Sequence, residues 1–268
     1  MTRILYQGSL EITDSKSIVS FETKGGGQWE VWHRYISIDE KPAYEIGNIC
    51  GTCRFYFERL EGANQSVHPI EDLIEQLNEG LSSLDKKTTE KVAEIIPNGK
   101  YKVLLLKVFP QKIELGTETD YFSNEELELW GVDPFWGIPH NPKIKYYRGT
   151  DQAIKKDKRI FEFIVPIFPQ NWLDSKRIDF YREQFEQGKI PTAISLSVLD
   201  IKTPYDWPDD PKPEFTGCWC LAHYILDGHH KMFAAAELNK PINLMCFLAT
   251  EKGIYETEED IEILLSSI

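Results

Sequence analysis

Three features of the 268-residue chain predict an α+β (mixed α/β) fold. Residues 3–38 carry β-branched and aromatic runs on either side of Gly25-Gly26-Gly27. The segment "DSKRIDFYREQFEQGK" places Ile178, Tyr181, Arg182 and Phe185 on one side at helical spacing. From residue 159 onward, strand-like and helix-like segments follow one another in the order β-α-β-loop-β-α-β. With 41% hydrophobic residues, the chain is long enough for one large domain or two ordinary ones.

In chain order, "ILYQGSLEIT" and "SIVSFETKGGGQWEVWHRYISI" read as strands, the second folded at its glycines into a hairpin. A phosphate loop is the alternative there, but the Lys-Ser/Thr and following helix of a P-loop are missing. Residues 69–96 read as helical. Pro69 and the acids after it suit a first turn, and Thr88 or Thr89 suits an N-cap. "KYKVLLLKVF" is a buried strand, and "SNEELELWG" a short helix capped by Ser123 and stopped by Gly131. Residues 131–158, rich in Pro, Gly and aromatics, read as an irregular connection and a domain boundary. Residues 1–150 would then be an α+β region of unknown role, and residues 158–255 a second unit. In that unit "RIFEFIVPIF" is a strand ending near Pro166, and Gly188 ends the helix that follows. "PTAISLSVLDI" is a strand. "KTPYDWPDDPKPEFTG" is too proline-rich for a central strand. "CWCLAHYIL", "KMFAAAELN" and "INLMCFLA" complete the series as strand, helix and strand. Residues 256–268 hold five acids and no Lys or Arg, and read as an acidic tail.

The formal net charge of −13 sets a mean field that repels nucleic acid and anionic membranes. The repulsion is uneven: residues 158–255 carry 11 Lys+Arg against 13 Asp+Glu. No apolar run approaches the roughly 20 residues of a membrane-spanning helix, and the N-terminus lacks a signal-peptide layout. A cytoplasmic location is expected. The five cysteines, an odd number in a long chain, suggest reduced thiols.

The segment with the clearest chemistry is Asp227-Gly228-His229-His230-Lys231, between an apolar strand and an alanine-rich helix. Glycine permits a tight turn, and the first amides of the helix, with its dipole, form an anion site. His229, His230 and Lys231 would add donors to phosphate, and Asp227 would cap the helix or orient a histidine. Cations at a helix N-terminus are slightly unfavourable, by ~0.3–1 kcal/mol each, so an anion among them would explain the pattern. A solvent-exposed capped turn is the plain alternative.

Two cysteine pairs, Cys50-x-x-Cys53 and Cys218-x-Cys220, could supply four thiolates to zinc. The alternatives are small buried thiols, or a redox thiol at Cys50, although the βαβ context of thioredoxin-type enzymes is missing. His223 shares a strand face with Asp227 and could support the site. The aromatic loop "DPFWGIPHNP" could line an adenine pocket or cover a core edge.

"RIDFYREQFEQGKIPTAISLSVLDI" with "HYILDGHHKMFAAAELNKPINLMCFL" resembles the ParB/sulfiredoxin superfamily over residues 158–255. The resemblance rests on a helix, a Gly-Lys-x-Pro turn, a strand, an insertion, and a strand leading into a glycine-and-basic box on a helix N-terminus. It implies a ParB/sulfiredoxin-like domain in which Gly228, His229, His230 and Lys231 cradle nucleotide phosphates, with Lys189 at the matching turn. Sulfinic-acid reduction is not implied, since His229 stands where sulfiredoxins carry cysteine. Chromosome segregation is not implied either, since no helical DNA-binding domain follows. Kinase relatives carry a glutamate near the first helix, for which Glu183 and Glu186 are the candidates. The resemblance therefore implies binding of ATP or CTP with Mg²⁺, and phosphoryl transfer or hydrolysis with His229, Asp227 and Glu186 in catalytic roles. The alternatives are a non-catalytic protein-interaction module with a vestigial cradle, and a ParB-like nuclease. The expected partner is a nucleotide or another phosphate-bearing small molecule, with a protein partner in the second case.

Overall fold

Alternating buried positions along β-branched and aromatic runs give two sheets. The computed structural model describes residues 2–65, 67, 71–155, 157–204 and 216–268. Strands are β1 (Arg3–Ile12), β2 (Val19–Gly26), β3 (Trp29–Ile38), β4 (Lys41–Asn48), β5 (Glu58–Arg59), β6 (Gly99–Val108), β7 (Gln111–Lys112), β8 (Tyr147–Lys155), β9 (Lys158–Pro166), β10 (Thr192–Lys202), β11 (Gly217–Asp227) and β12 (Ile242–Ala249). Helices are α1 (Ile74–Glu79), α2 (Lys86–Ala93), α3 (Glu125–Trp130), α4 (Ser175–Glu186), α5 (His229–Leu238) and α6 (Glu258–Ser267).

The larger sheet has the order β1-β6-β12-β10-β11-β9-β8-β7, the smaller β2-β3-β4-β5. In the larger sheet β10 runs parallel to β12, and β11 parallel to β9; its other pairings are antiparallel. The fold is α+β and mostly sheet. Strands from before residue 150 and after residue 158 share this sheet. Tyr147–Lys155, read as part of an irregular connection, form β8, which pairs antiparallel with β9. Tertiary pairing of β6 with β12 brings the two stretches together, and no local pattern announces it.

Alternate residues of the strands feed two cores. One face packs Phe163 and Tyr224 with Tyr44, Phe55, Phe57, Tyr121 and Phe122; Phe55 stacks on Phe163 at 4.9 Å between centroids. The other face packs Leu106, Ile164 and Leu221 against Met232 and Ala235 of α5 and Leu264 of α6. The residues after 255 are thus no loose tail. Thr257 and Asp260 form a capping box, and Ile261, Leu264 and Leu265 bury one face of α6.

Some local expectations need correcting. Asp85, not Thr88 or Thr89, caps α2 by accepting from Thr88 N–H. Ser123 lies in a short 3₁₀ turn capped by Asp120, and α3 starts behind Asn124 without a side-chain cap. Gly131 ends α3 as expected. The glycine hairpin is also found: Gly26 pairs with Trp29, and Gly27 takes φ +58°. Pro69, His68 and the proline-rich residues 205–215 lie outside the described residues.

Candidate functional site

The strand–turn–helix expected at 227–231 is present: β11 ends at Asp227, Gly228 turns, and α5 starts at His229. Gly228 has φ +98°, and a Cβ there would lie 2.6 Å from the Ala193 Cβ. Only glycine turns the chain here and lets it lie against β10. No side chain caps α5, so the expected capping role of Asp227 is not realised. Asp227 instead lies 3.7 Å from Lys231 Nζ, one helical turn away.

The basic side chains do not converge on an open cradle. His229 is buried; its Nε2 accepts from Ile167 N–H at 3.0 Å, and its ring stacks on Phe168 at 4.5 Å. Burial, with repulsion from His230, pushes its pKa down to about 3. A histidine held in this way is neutral near pH 7. His230 Nε2 accepts from Asp174 N–H at 3.0 Å. Burial and the Arg177 charge lower its pKa. Lys231 is buried and donates to the Thr192 carbonyl at 3.0 Å. Burial lowers its pKa, while Asp227 opposes the fall. All three side chains thus bind neighbouring backbone and tie α5 to the β9–α4 connection and to β10. The physical cause is backbone polarity: the N–H groups of Ile167 and Asp174 and the Thr192 carbonyl need partners, and these side chains provide them.

The remaining candidates lie apart from that arrangement. Lys189 reaches Glu79 of α1 at 2.5 Å rather than the turn. Glu183 and Glu186 are exposed on α4. Cys50 and Cys53 are joined in a disulfide, while Cys218, Cys220 and Cys246 are free and buried. The expectation of five reduced thiols therefore fails at this pair. Burial raises the pKa values of Cys218 and Cys220. Among the described residues no group of three or more His, Cys, Asp or Glu side chains could hold a metal ion. The four-cysteine zinc site is not assembled, because two of its thiolates are consumed in a covalent bond.

Two buried networks escaped the residue-by-residue reading. His223 and Glu162 are both fully buried, with Nε2 to Oε1 at 3.2 Å. His223 Nδ1 meets Ser197 Oγ at 2.7 Å, and Cys246 Sγ donates to the same oxygen at 3.2 Å. Glu162 also accepts from the Thr150 N–H at 2.6 Å and from the Thr2 hydroxyl. This resembles a catalytic relay in composition, and its side chains are buried. The second network is a paired-fork contact between Arg34 of β3 and Asp200 of β10.

The second half of the aromatic loop covers a core edge, with Ile138 buried and the His140 ring against Phe122 and Tyr56, while its tip is exposed. Phe135 is 85% exposed, Trp136 66% and Val132 69%. The loop is nevertheless ordered by its own bonds. Asp133 and Ile138 exchange backbone hydrogen bonds at 3.1 and 2.9 Å, and Asp133 Oδ1 accepts from Phe135 and Trp136 N–H.

Neither a family model, a curated protein nor a solved structure matches this chain.

Proposed function

We propose that the chain is a non-catalytic protein-interaction module, with the 227–231 turn serving as structure and the loop at 131–137 as the contact. The observation that carries this reading is the side-by-side exposure of Val132, Phe135 and Trp136 on a hydrogen-bonded loop. Rigid aromatic side chains bury much area on binding while losing little conformational freedom, and for that reason they dominate interfaces. The net charge of −13 favours a partner with an apolar pocket and a basic rim, and disfavours an anionic membrane. The β9-α4-β10-β11-α5-β12 succession is the element order that the ParB/sulfiredoxin resemblance implies. The engaged side chains of His229, His230 and Lys231 support a cradle turned to structural use.

A photo-crosslinking residue at position 135, compared with one at the exposed Phe180 of α4, tests the reading. A discrete protein adduct at 135, absent at 180 and lost with Trp136→Ser, is expected. Equal adducts at both positions, or crosslinks to lipid alone, would overturn it.

One feature favours a second reading, phosphate binding at Gly228: no side chain caps the first turn of α5. Calorimetry with ATP or CTP and Mg²⁺, followed by phosphate release with and without His230→Ala, separates the two. The interaction module binds neither nucleotide and releases no phosphate.

A further inference from the structure

We propose that the Cys50–Cys53 disulfide is a reversible thiol–disulfide exchange site, and that its redox state sets the posture of the loop at 131–137. The coupling to function rests on the contact role assigned above to that loop; the exchange chemistry does not.

Access singles out this pair. Neither Cys50 nor Cys53 is buried, whereas Cys218, Cys220 and Cys246 all are. The bond closes a ring with only Gly51 and Thr52 between the sulfurs. The ring lies after β4, in a stretch without helix or strand. One side of it is fastened to the larger sheet: Lys202 Nζ donates to the Cys50 carbonyl at 2.7 Å, and Thr203 N–H to the Gly51 carbonyl at 2.9 Å.

Its other side holds the aromatic loop at both ends. The Trp130 indole N–H, just before the loop, donates to the Thr52 carbonyl at 3.2 Å. Arg54, the residue after Cys53, donates to the Gly137 carbonyl at 3.0 Å and to Glu126 Oε1 at 3.1 Å. Glu126 is buried, and its second oxygen accepts from His140 N–H at 2.7 Å. Segment 50–54 is therefore the bracket on which residues 126–140 hang. The disulfide restricts the backbone freedom of that bracket, and opening it returns freedom to the residues that hold Trp130 and Gly137.

The reactant is a low-molecular-weight dithiol. One of its thiolates attacks a protein sulfur, the Cys50–Cys53 bond breaks, and a mixed disulfide forms. Its second thiolate then attacks the mixed disulfide. The protein gains two thiols, two electrons and two protons, and the dithiol leaves as a cyclic disulfide.

The test uses the full chain, without partner, in buffers of stepped reduced-to-oxidised dithiothreitol ratio. Alkylation under native conditions and mass spectrometry count the thiols; hydrogen exchange reads the amides of Asp133, Phe135, Gly137 and Ile138. Cys50 and Cys53 are expected to become alkylated together while the three buried cysteines stay unmodified. Exchange at the four amides is expected to quicken at least tenfold on reduction, and to be equally fast in C50S/C53S at every ratio. Equal exchange in both redox states, or reduction only where the whole chain unfolds, would overturn the proposal. Because no partner is present, a failed crosslink at position 135 leaves this result standing, and a failed redox response leaves the contact reading standing.

Discussion

Arg34 and Asp200, on strands from different sheets, form a buried two-pronged ion pair: Nη1 to Oδ1 at 3.0 Å, with Nη2 on Oδ2. Arg34 also donates to the Ile46 carbonyl at 2.8 Å and to the Lys252 carbonyl at 2.9 Å. The smaller sheet is thereby locked onto β10. Removing one partner of a buried pair leaves a charge without compensation, which costs about 3–5 kcal/mol. Arg34→Met is expected to lower the unfolding free energy, read from urea titration, by that amount. Arg34→Met with Asp200→Leu should recover only part of the loss, since the Asp200 charge is gone but the buried Lys202 ammonium loses the carboxylate 3.9 Å away. A single variant as stable as the wild type would show that the pair contributes nothing.

The two buried histidines give opposite pH signatures. Burial opposes a charge on His223, but Cys246 and Glu162 outweigh it and raise its pKa to about 9. A raised folded-state value means that the contribution is complete below the unfolded pKa near 6.5 and is lost as pH rises through 9. Stability should therefore fall between pH 6.5 and 9, at a limiting slope of about 1.4 kcal/mol per pH unit for one proton. His223→Gln is expected to flatten that limb while lowering stability at pH 6. Denaturant midpoints across pH 5–10 read both effects.

His229 acts on the acid side. Its folded pKa of about 3 lies below the unfolded value, so the unfolded chain takes up the proton first. Its contribution is complete above pH 6.5 and is lost as pH falls toward 3. Glu162 works in the same direction. Burial opposes its ionisation, but His223, the Thr150 N–H and Thr2 hold its pKa below the ordinary value. Imidazole proton–nitrogen spectra should show His229 neutral, with hydrogen on Nδ1, at pH 5, where an exposed histidine is charged. A signal that titrates near 6.5 would contradict the bond from Ile167 N–H.

Much of this architecture could be read from local pattern. The succession from β9 to β12 follows from strand and helix periodicity, and the turn at Gly228 from one glycine between two apolar runs. What α5 does with His229, His230 and Lys231 could not be read. Residue type says that a group can bind phosphate, whereas direction and partners decide whether it does. The network at His223 was half legible: alternation puts Ser195 and Ser197 on one face of β10, as His223 is on β11. Its acid comes from β9, whose register against β11 is a tertiary fact. Helix α6 was hidden by composition, because five acids obscured the spacing of Ile261, Leu264 and Leu265.

Gly228 and Gly188 separate backbone strain from crowding. Both have positive φ, +98° and +83°, but a Cβ at Gly228 meets Ala193 Cβ at 2.6 Å and Cα at 2.9 Å, while at Gly188 nothing lies within 4 Å. Alanine at 188 incurs only the left-handed backbone cost, about 1 kcal/mol. Alanine at 228 adds overpacking against β10, a further ~1–3 kcal/mol, and pushes α5 away from Thr192. Gly228→Ala should therefore destabilise at least twice as much as Gly188→Ala in urea. It should also expose the Lys231 ammonium, whose bond to the Thr192 carbonyl depends on that close approach. Equal effects at the two positions would mean that α5 can shift away from β10 at no cost, and that the tight seat of Gly228 is not what fixes the helix.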